Sequence, residues 1–572
     1  MKYLIKTIYL IPLLIIGLFF VTPTLAKDSK IKYSRENISN YFLGIISLNQ
    51  NYTSSSYKYF NKIQSLKKNH SNYNIQFIRS LVLLEKFDQA FKFSKEIWSE
   101  EGQFLEVDLL LGLDSFIKKD YLKAEKHFQK LNKTSEHSLF FDDFLGNILI
   151  SWIKASENKK EESFKFLNKI PERYTTLKSI QNSFLNCYFD TPKTPVAFEN
   201  IIGKEESSFS RYNFFLLNYF VSKNQIESAK ILASKSLNFY NSNLLIRQAK
   251  NFINNKKSEK ITNFFNCKNP EDVMAEIFYV IANLFSTEKN YLLSNFYLKI
   301  SLFLNDSFTP NKALLAENFF LQKKYEESKK IYKSIKSIGD VYSWFASKSI
   351  AIILLETKGK EYAISNLKKE FGMLVNPNFE HYYELANFYK DNEYYDESIK
   401  YYSYALENMS NDHFLIPKIL DRRGTSYERL GKWNLAEKDL SESLEILPDQ
   451  PYVLNYLAYS WIEKGVNVNR SLEMLKQATS LRKNDQYITD SLGWAYYKIE
   501  NYTYAEKFLR IAVQLMPLDP VINDHYGDAL WMLNKSIQAR YFWKYVLSLE
   551  TTEKKLKDTI NKKLIFGITE KL

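Results

Sequence analysis

Glycine and proline are scarce in this chain, with 15 and 13 residues respectively among 572. Strand-rich folds with many tight turns depend on these two residues, so we expect few strands joined by such turns. A chain of this length is also far larger than one ordinary domain. It therefore forms either several domains or an array of repeats.

Cysteine is almost absent, since Cys187 and Cys267 are the only two in the sequence. That number excludes the disulfide frameworks of small secreted domains. The two cysteines are 80 positions apart, and the repeat pattern places them on non-adjacent units. We therefore expect both to be buried and unpaired.

No apolar run in the sequence reaches the roughly 18 to 20 residues that a membrane-spanning helix needs. The N-terminal run, residues 8–21, follows two lysines and precedes the small-residue segment that ends at Ala26. This order is typical of a secretory signal peptide, so we expect residues 1–26 to be cleaved off and the mature chain to be periplasmic or otherwise exported. An uncleaved anchor is the alternative. No cysteine lies near Ala26, so a lipoprotein is not expected.

Known catalytic and metal-binding motifs are missing as well. The sequence has no HExxH, no paired CxxC, no GxxxxGK[ST] and no GxSxG, which excludes the common signatures of metalloproteases, zinc sites, nucleotide sites and hydrolase elbows. Its six histidines are scattered, and His525 beside Asp524 has no Ser or Cys nucleophile next to it. We therefore predict no catalytic residue, no metal, no cofactor and no enzymatic activity.

The chain carries an excess of positive charge, with a formal net charge of +13. Lysine and glutamate alternate along most of the sequence, so most of this charge is expected to solvate helical surfaces. Attraction to an anionic envelope polymer or lipid is the alternative interpretation, and association with a membrane surface stays open.

Small residues recur along the chain with a period close to 34. Gly493 is followed 34 positions later by Gly527, and Ala505 is followed by Ala539 at the same interval. Such a period indicates stacked supersecondary units rather than independent domains. Other members of the series are Gly44, Ile78, Gly112, Ala282, Ala316, Ala351, Ala386, Gly424 and Ala458.

Each unit of the repeat predicts two antiparallel helices. In the clearest unit, residues 487–499 and 502–515 both carry apolar residues at helical spacing, and Pro517 ends the second pattern. Helices approach closely only where side chains are short, so Gly493 and Ala505 are expected at the crossing of the pair.

This pattern resembles the tetratricopeptide repeat. One unit matches it at Leu492, Gly493, Tyr496, Tyr502, Ala505, Leu509, Ala512 and Pro517, and another at Gly424, Tyr427, Gly431, Trp433, Ala436, Leu440 and Pro448. The resemblance predicts degenerate repeats over residues 39–270, a well-formed array over 271–549 and a polar capping helix or tail over 550–572. It implies an all-α fold, a right-handed α-solenoid of tetratricopeptide-like helical hairpins.

Arrays of this family bind segments of other proteins in a concave groove and seldom perform chemistry. The family's inward-facing positions combine aromatic and polar residues here, as a protein-binding surface does. Packing of some of these rings between repeats is the alternative. The acidic members favour a neutral or basic partner over an acidic tail or a nucleic acid. The predicted groove residues are Tyr452, Asn455, Tyr459, Tyr487, Asp490, Trp494, Tyr497, Asp524, Asp528 and Trp531.

The whole arrangement looks like the large exported tetratricopeptide proteins of proteobacteria. Some of these are adaptors of a carboxyl-terminal processing protease, to which they deliver peptidoglycan hydrolases. The resemblance therefore implies a scaffold or adaptor in envelope or peptidoglycan maintenance, with a periplasmic protease and cell-wall hydrolases as partners. A structural or carrier protein that binds anionic envelope polymer or lipid through its basic surface is the alternative.

Overall fold

The structure, a computed structural model, describes residues 34–68, 70–100, 102, 104–135, 144–202, 211–239 and 243–568. The predicted signal peptide, residues 1–26, lies outside the described residues. Within them the chain forms thirty α-helices and no strand, which confirms the all-α prediction. No helix in this part of the chain has the length and hydropathy to span a bilayer.

Packing divides the chain into two compact units, one ending at Ala346 and the other beginning at Ser347. The predicted boundary at residues 270 and 271 marks the point where the repeat motif sharpens, whereas this division lies within a later helix. The first unit contains α1 Arg35–Asn49, α2 Thr53–Asn61, α3 Ser71–Leu83, α4 Phe87–Ile97, α5 Leu105–Ile117, α6 Tyr121–Ser135, α7 Leu145–Ser156, α8 Lys160–Asn168, α9 Thr175–Tyr188, α10 Thr194–Ile202, α11 Tyr212–Ser222, α12 Ile226–Phe239, α13 Leu244–Asn254, α14 Pro270–Thr287, α15 Tyr291–Leu304, α16 Thr309–Leu321 and α17 Tyr325–Ile335.

Helix α18, Asp340–Lys358, contains the division between the units. The helices of the second unit pair in sequence order, as the repeat predicts. They are α19 Lys360–Gly372, α20 Phe379–Asp391, α21 Tyr395–Glu407, α22 Ile416–Arg429, α23 Trp433–Ile446, α24 Pro451–Lys464, α25 Val468–Leu481, α26 Gln486–Lys498, α27 Tyr502–Leu515, α28 Pro520–Met532, α29 Ser536–Ser548 and α30 Lys554–Phe566.

The helices of each hairpin cross where the sequence places its small residues. A Cβ atom added to Gly493 would lie 2.7 Å from Leu509 Cγ and 3.0 Å from the Leu509 backbone nitrogen. In the first unit, a Cβ atom on Gly112 would lie 2.2 Å from the ring of Phe128. Contacts this short leave no room for a side chain, so glycine permits the close approach of the paired helices.

A residue with positive φ closes most hairpins. In the clearest repeat this residue is Glu500, with φ 62°, and the Asn501 side chain then caps α27 by accepting a hydrogen bond from the Tyr504 backbone N–H. The same left-handed turn recurs at Asn158, Asp190 and Asn224. The backbone therefore keeps the repeat through a region whose side chains depart from the motif.

Cys187 and Cys267 form a disulfide, with their Cα atoms 6.0 Å apart. Both are buried, as expected, but the expectation that they are unpaired is wrong. The segment before α14 does not continue the hairpin pattern and instead returns to α9, where the Lys268 ammonium donates to the Tyr188 carbonyl. Linear repeat order therefore underestimates how close distant segments lie in the first unit.

Candidate functional site

The first helices of successive hairpins lie side by side in the second unit, so α22, α24, α26 and α28 form a continuous surface. Two aspartates fix where the last two of these helices begin. Asp485 accepts hydrogen bonds from the backbone N–H groups of Tyr487 and Ile488, and Asp519 caps α28 in the same way. These caps satisfy N–H groups that the helices leave unpaired.

An open cleft of about 520 Å³ lies on this surface, between α22, α24 and α26. Four of the ten predicted groove residues line it, namely Asn455, Tyr459, Tyr487 and Asp490. The structure therefore brings the predicted residues of two neighbouring repeats together. The other lining residues are Glu428, Arg429, Gly431, Trp433, Tyr456, Ser460, Glu463, Lys464 and Ser491.

Four aromatic residues line the cleft, namely Trp433, Tyr456, Tyr459 and Tyr487. The Tyr487 side chain is 49% exposed, and Tyr459 is half-buried. Burial, together with the carboxylates of Glu463 and Asp490, raises the pKa of Tyr459, so its hydroxyl stays protonated. Half-exposed tyrosines of this kind provide contact area and a polar group at low entropic cost.

The polar side chains of the cleft are only partly satisfied. Tyr456 donates a hydrogen bond of 2.7 Å to Glu428, and the Lys464 ammonium lies 4.9 Å from the centre of the Trp433 ring. By contrast, the buried Oδ1 atom of Asn455 finds no hydrogen-bond partner among the described residues. This atom has almost no accessible surface, so its missing hydrogen bond is a cost to the fold rather than a contact offered to a partner.

Trp494, a predicted groove residue, lies instead between repeats. Its indole N–H donates to Glu463 at 2.6 Å, and its ring stacks on Tyr497 and His525 with centroid distances of 4.6 and 4.0 Å. Only 9% of the residue is exposed. Trp494 therefore connects α24, α26 and α28. This position corrects the expectation that Trp494 faces an open groove, and it matches the alternative that some rings pack between repeats.

Asp490 is also largely buried, because its carboxylate pairs with His525 at 3.0 Å from Nδ1. Burial lowers the pKa of His525, but the carboxylates of Asp490, Asp524 and Asp528 outweigh it and raise the pKa overall. The Asp490–His525 pair thus joins α26 to α28. His525, which the sequence places beside Asp524 without a neighbouring nucleophile, is therefore held between repeats by Asp490.

The two remaining aspartates are covered by α30. The Lys563 ammonium contacts Asp524 at 2.7 Å and Asp528 at 2.7 Å, and Asp528 also accepts from the Trp543 indole N–H at 3.0 Å. Burial and the neighbouring Asp524 raise the pKa of Asp528 to about 7, although Lys563 opposes this. Both aspartates are therefore inaccessible in the free chain, which corrects their predicted position on the open groove.

The other three predicted residues lie at the margins of this surface. Tyr452 is exposed, and its hydroxyl donates to Asp485 at 3.1 Å. Tyr497 is half-buried beside Trp494, and Trp531 packs against Trp543 with ring centroids 5.3 Å apart. A role in partner binding stays a prediction for all ten residues.

Two stretches of the chain are similar in sequence to known proteins. A tetratricopeptide repeat-containing protein of Pseudomonas aeruginosa is 33% identical over 92 residues, which cover 16% of this chain and 15% of that protein. A UDP-N-acetylglucosamine–peptide N-acetylglucosaminyltransferase of Giardia intestinalis is 30% identical over 171 residues, covering 28% of this chain and 11% of that protein. The hairpins of this chain are tetratricopeptide repeats. No protein-family model matches the chain.

Solved structures of tetratricopeptide arrays are more distant. MamA from Desulfovibrio magneticus has 17% identity and a TM-score of 0.28, covering 32% of this chain and 99% of its own. Cut9 in the APC/C hetero-tetramer Cut9–Hcn1 has 14% identity and a TM-score of 0.36, covering 93% of this chain and 97% of that one. The assignment therefore rests on the hairpin geometry and on the sequence matches.

Sequence reasoning missed one set of residues in this tetratricopeptide array. Glu428 and Glu463 occupy the last turn of their first helices, 35 positions apart, and each accepts a hydrogen bond from the following first helix. Their equal spacing was the available signal. Among the described residues, no cluster of three or more His, Cys, Asp or Glu side chains has the arrangement of a metal site.

Proposed function

We propose that this chain is an exported scaffold or adaptor that binds segments of other proteins in the cleft between α22, α24 and α26. The observation that carries the proposal is the cleft itself, in which half-exposed tyrosines lie among charged side chains of both signs. An extended or helical peptide could supply both an apolar side chain and a donor N–H.

Charge supports a neutral or basic partner segment. Residues 347–572 contain 30 Lys and Arg residues against 31 Asp and Glu residues, although the whole chain has a net charge of +13. Glu428, Glu463 and Asp490 line the cleft together with Arg429 and Lys464. The binding unit therefore lacks the basic excess that would attract an acidic tail.

The biological setting follows from the signal-like N-terminus and the resemblance to exported proteobacterial arrays. We place the chain in the periplasm, in envelope or peptidoglycan maintenance. Its partners would be a processing protease and the cell-wall hydrolases delivered to it. A scaffold of this kind needs no catalytic group of its own, and the tyrosines and charged side chains of the cleft support a role in recognition.

Affinity capture from envelope extract tests the proposal. The double variant Tyr459→Ala, Tyr487→Ala removes two rings of the cleft, and we expect it to lose most partners that the wild type retains. Tyr541→Ala is the matched control, because Tyr541 is also exposed in the second unit but does not line the cleft. Identical partners for all three proteins would exclude the cleft as the binding site.

A further inference from the structure

The first helix of the array presents an apolar stripe to solvent. Ile38, Phe42 and Ile46 are spaced four residues apart on α1, so they lie along one face. Their exposed fractions are 46%, 58% and 50%. The opposite face of α1 is packed on the array, where Gly44 and Leu48 are buried.

An exposed apolar stripe is unusual at the end of a repeat array, because terminal repeats normally carry a polar outer face. At the C-terminal end, α30 buries Ile560 against the last hairpin and leaves Lys562 in solvent, and its exposed large apolar side chains are Ile565 and Phe566 in the last turn. At the N-terminal end, the equivalent outer surface combines three large apolar side chains. A surface of this kind marks an interaction site.

Charge indicates what this surface contacts. No Asp or Glu occurs between Glu36 and Glu85, whereas Lys58, Lys62 and Lys68 are exposed in this stretch. Helix α2, which carries Lys58, packs against α1. The wider first unit has the same bias, since residues 1–346 contain 48 Lys and Arg residues against 34 Asp and Glu residues.

We propose that the α1–α2 hairpin docks on the surface of an anionic phospholipid bilayer. Ile38, Phe42 and Ile46 would enter the boundary between headgroups and acyl chains, while Lys58 and Lys62 would contact lipid phosphates. An apolar stripe on a hairpin that also carries exposed lysines is the combination by which interfacial helices bind such membranes. A protein partner or a second copy would not require a stretch without acidic residues.

This surface is separate from the cleft, so the proposal does not depend on the proposed function. It narrows the earlier alternative of a basic lipid-binding surface to one hairpin. Binding would hold the first unit at a membrane.

A single fluorescent label at the stripe tests the docking directly. Both native cysteines are joined in the disulfide, so Phe42→Cys introduces the only free thiol of the full chain. An environment-sensitive dye at this position should shift its emission to shorter wavelength on vesicles of phosphatidylglycerol and phosphatidylcholine. On phosphatidylcholine alone it should not shift. Leu122→Cys is the control, because Leu122 is 80% exposed in the same unit but lies outside the hairpin.

Charge reversal gives the second arm of the experiment. Lys58→Glu with Lys62→Glu should weaken vesicle binding at least about tenfold, since each lysine near an anionic surface contributes on the order of 1 kcal/mol. Raising the salt concentration should also weaken the binding of the wild-type chain to these vesicles. Circular dichroism of the variant should match that of the wild type, since both lysines are exposed.

Four results would overturn the proposal. A dye at position 42 that is already shielded without vesicles would show that another part of the chain covers the stripe. Shielding that grows with protein concentration alone would indicate a second copy. An equal response on neutral vesicles would remove the role of the lysines. No response at position 42, even when the chain binds vesicles through another segment, would exclude docking by this face.

Discussion

The first unit holds its helices together with contacts between distant segments. The disulfide joins residues 80 positions apart, and the buried Glu276 accepts from Arg211 across 65 positions. Lys299 reaches Glu85 across 214 positions, and the rings of Phe87 and Phe303 stack beside that pair. This unit is therefore stabilised by returns of the chain on itself as well as by neighbouring hairpins.

The second unit relies on contacts between adjacent repeats. Glu463 accepts from Trp494 across 31 positions, and Asp490 pairs with His525 across 35. Lys563 closes the series across 35 and 39 positions. Nearest-neighbour stacking of this kind leaves the surface of the first helices open, as repeat arrays require for binding.

The interiors of the two units differ in what fills them. In the first unit, aromatic side chains pack together in the interior, where the ring of Phe184 contacts those of Phe198, Phe215 and Phe265. In the second unit, side-chain contacts join the successive helices α22, α24, α26 and α28, through the pairs Glu428–Tyr456, Glu463–Trp494 and Asp490–His525. The cleft lies beside this ladder of contacts. Irregular repeats thus give a unit that is cross-linked between distant segments and has an open cleft of its own, of about 740 Å³ beside Lys299 and Phe303, whereas regular repeats give a series of contacts between neighbours.

Removing the disulfide should produce the largest change and should affect only the first unit. For a loop of 80 residues, the chain-entropy argument gives a loss of about 4 to 5 kcal/mol in the free energy of unfolding. The double variant Cys187→Ser, Cys267→Ser should therefore lose amide-exchange protection in α9 and α14 but keep it in α24 and α26. Equal losses of amide-exchange protection in both units would mean that they unfold together. The disulfide would then not stabilise the first unit separately from the second.

Removing Lys563 should produce an effect of similar size, confined to the other end of the chain. Lys563→Ala leaves Asp524 and Asp528 buried without their cation, and breaking a buried ion pair in this way costs about 3 to 5 kcal/mol. We expect α28, α29 and α30 to exchange amides faster than the rest of the unit.

Lys562→Ala is the matched control for this change. Lys562 is exposed on the same helix, so its loss should alter the free energy of unfolding by no more than about 0.5 kcal/mol. Equal behaviour of the two variants would show that α30 is held by its apolar contacts alone.

The sequence predicts the hairpins of the second unit well, because their signal is local. The 34-residue spacing of Gly493 and Gly527 reflects the crossing of neighbouring helices, and the Glu500-Asn501 turn follows from the interruption of helical periodicity. The repeat period was therefore visible wherever small residues remained at the crossing. Between residues 140 and 270 only the backbone turn is kept, and a turn that accepts Asn, Asp or Lys leaves no distinct sequence signal.

The contacts that define the candidate site were less accessible to sequence reasoning. Asp490 and Trp494 were placed on the correct helices, but their partners, His525 and Glu463, come from other repeats. Position on a helix face predicts the direction of a side chain, not whether the next helix covers it. The disulfide was missed for the same reason, because pairing depends on a return of the chain that no periodic pattern encodes.

Replacing a helical glycine by alanine should change the free energy of unfolding moderately. The sign of the change depends on the space around the added Cβ atom. Gly493→Ala forces a Cβ atom to within 3.0 Å of the Leu509 backbone, and such overpacking costs about 1 to 3 kcal/mol. Gly372→Ala is the same substitution in the same unit, but nothing lies within 4 Å of its added Cβ. It should raise the free energy of unfolding by about 0.4 to 1 kcal/mol, because alanine restricts the unfolded chain. Urea unfolding of both variants checks the opposite signs, and equal signs would refute the close crossing.

The smallest expected effect is a pH dependence of the free energy of unfolding, which arises from His525 and the aspartates around it. The folded state raises the pKa of His525 through Asp490, Asp524 and Asp528, so its contribution to stability is complete below the ordinary histidine value of about 6.5. It is then lost as the pH rises through the raised value. Asp528, with a pKa of about 7, changes stability in the same direction between about pH 4 and 7.

Urea unfolding of the wild type and of His525→Gln, each at several pH values, checks this prediction. The difference between the two curves gives the contribution of the histidine. As the pH rises above about 6.5, the wild type should lose more stability than the variant. Parallel curves would show that the Asp490–His525 pair does not hold α26 to α28.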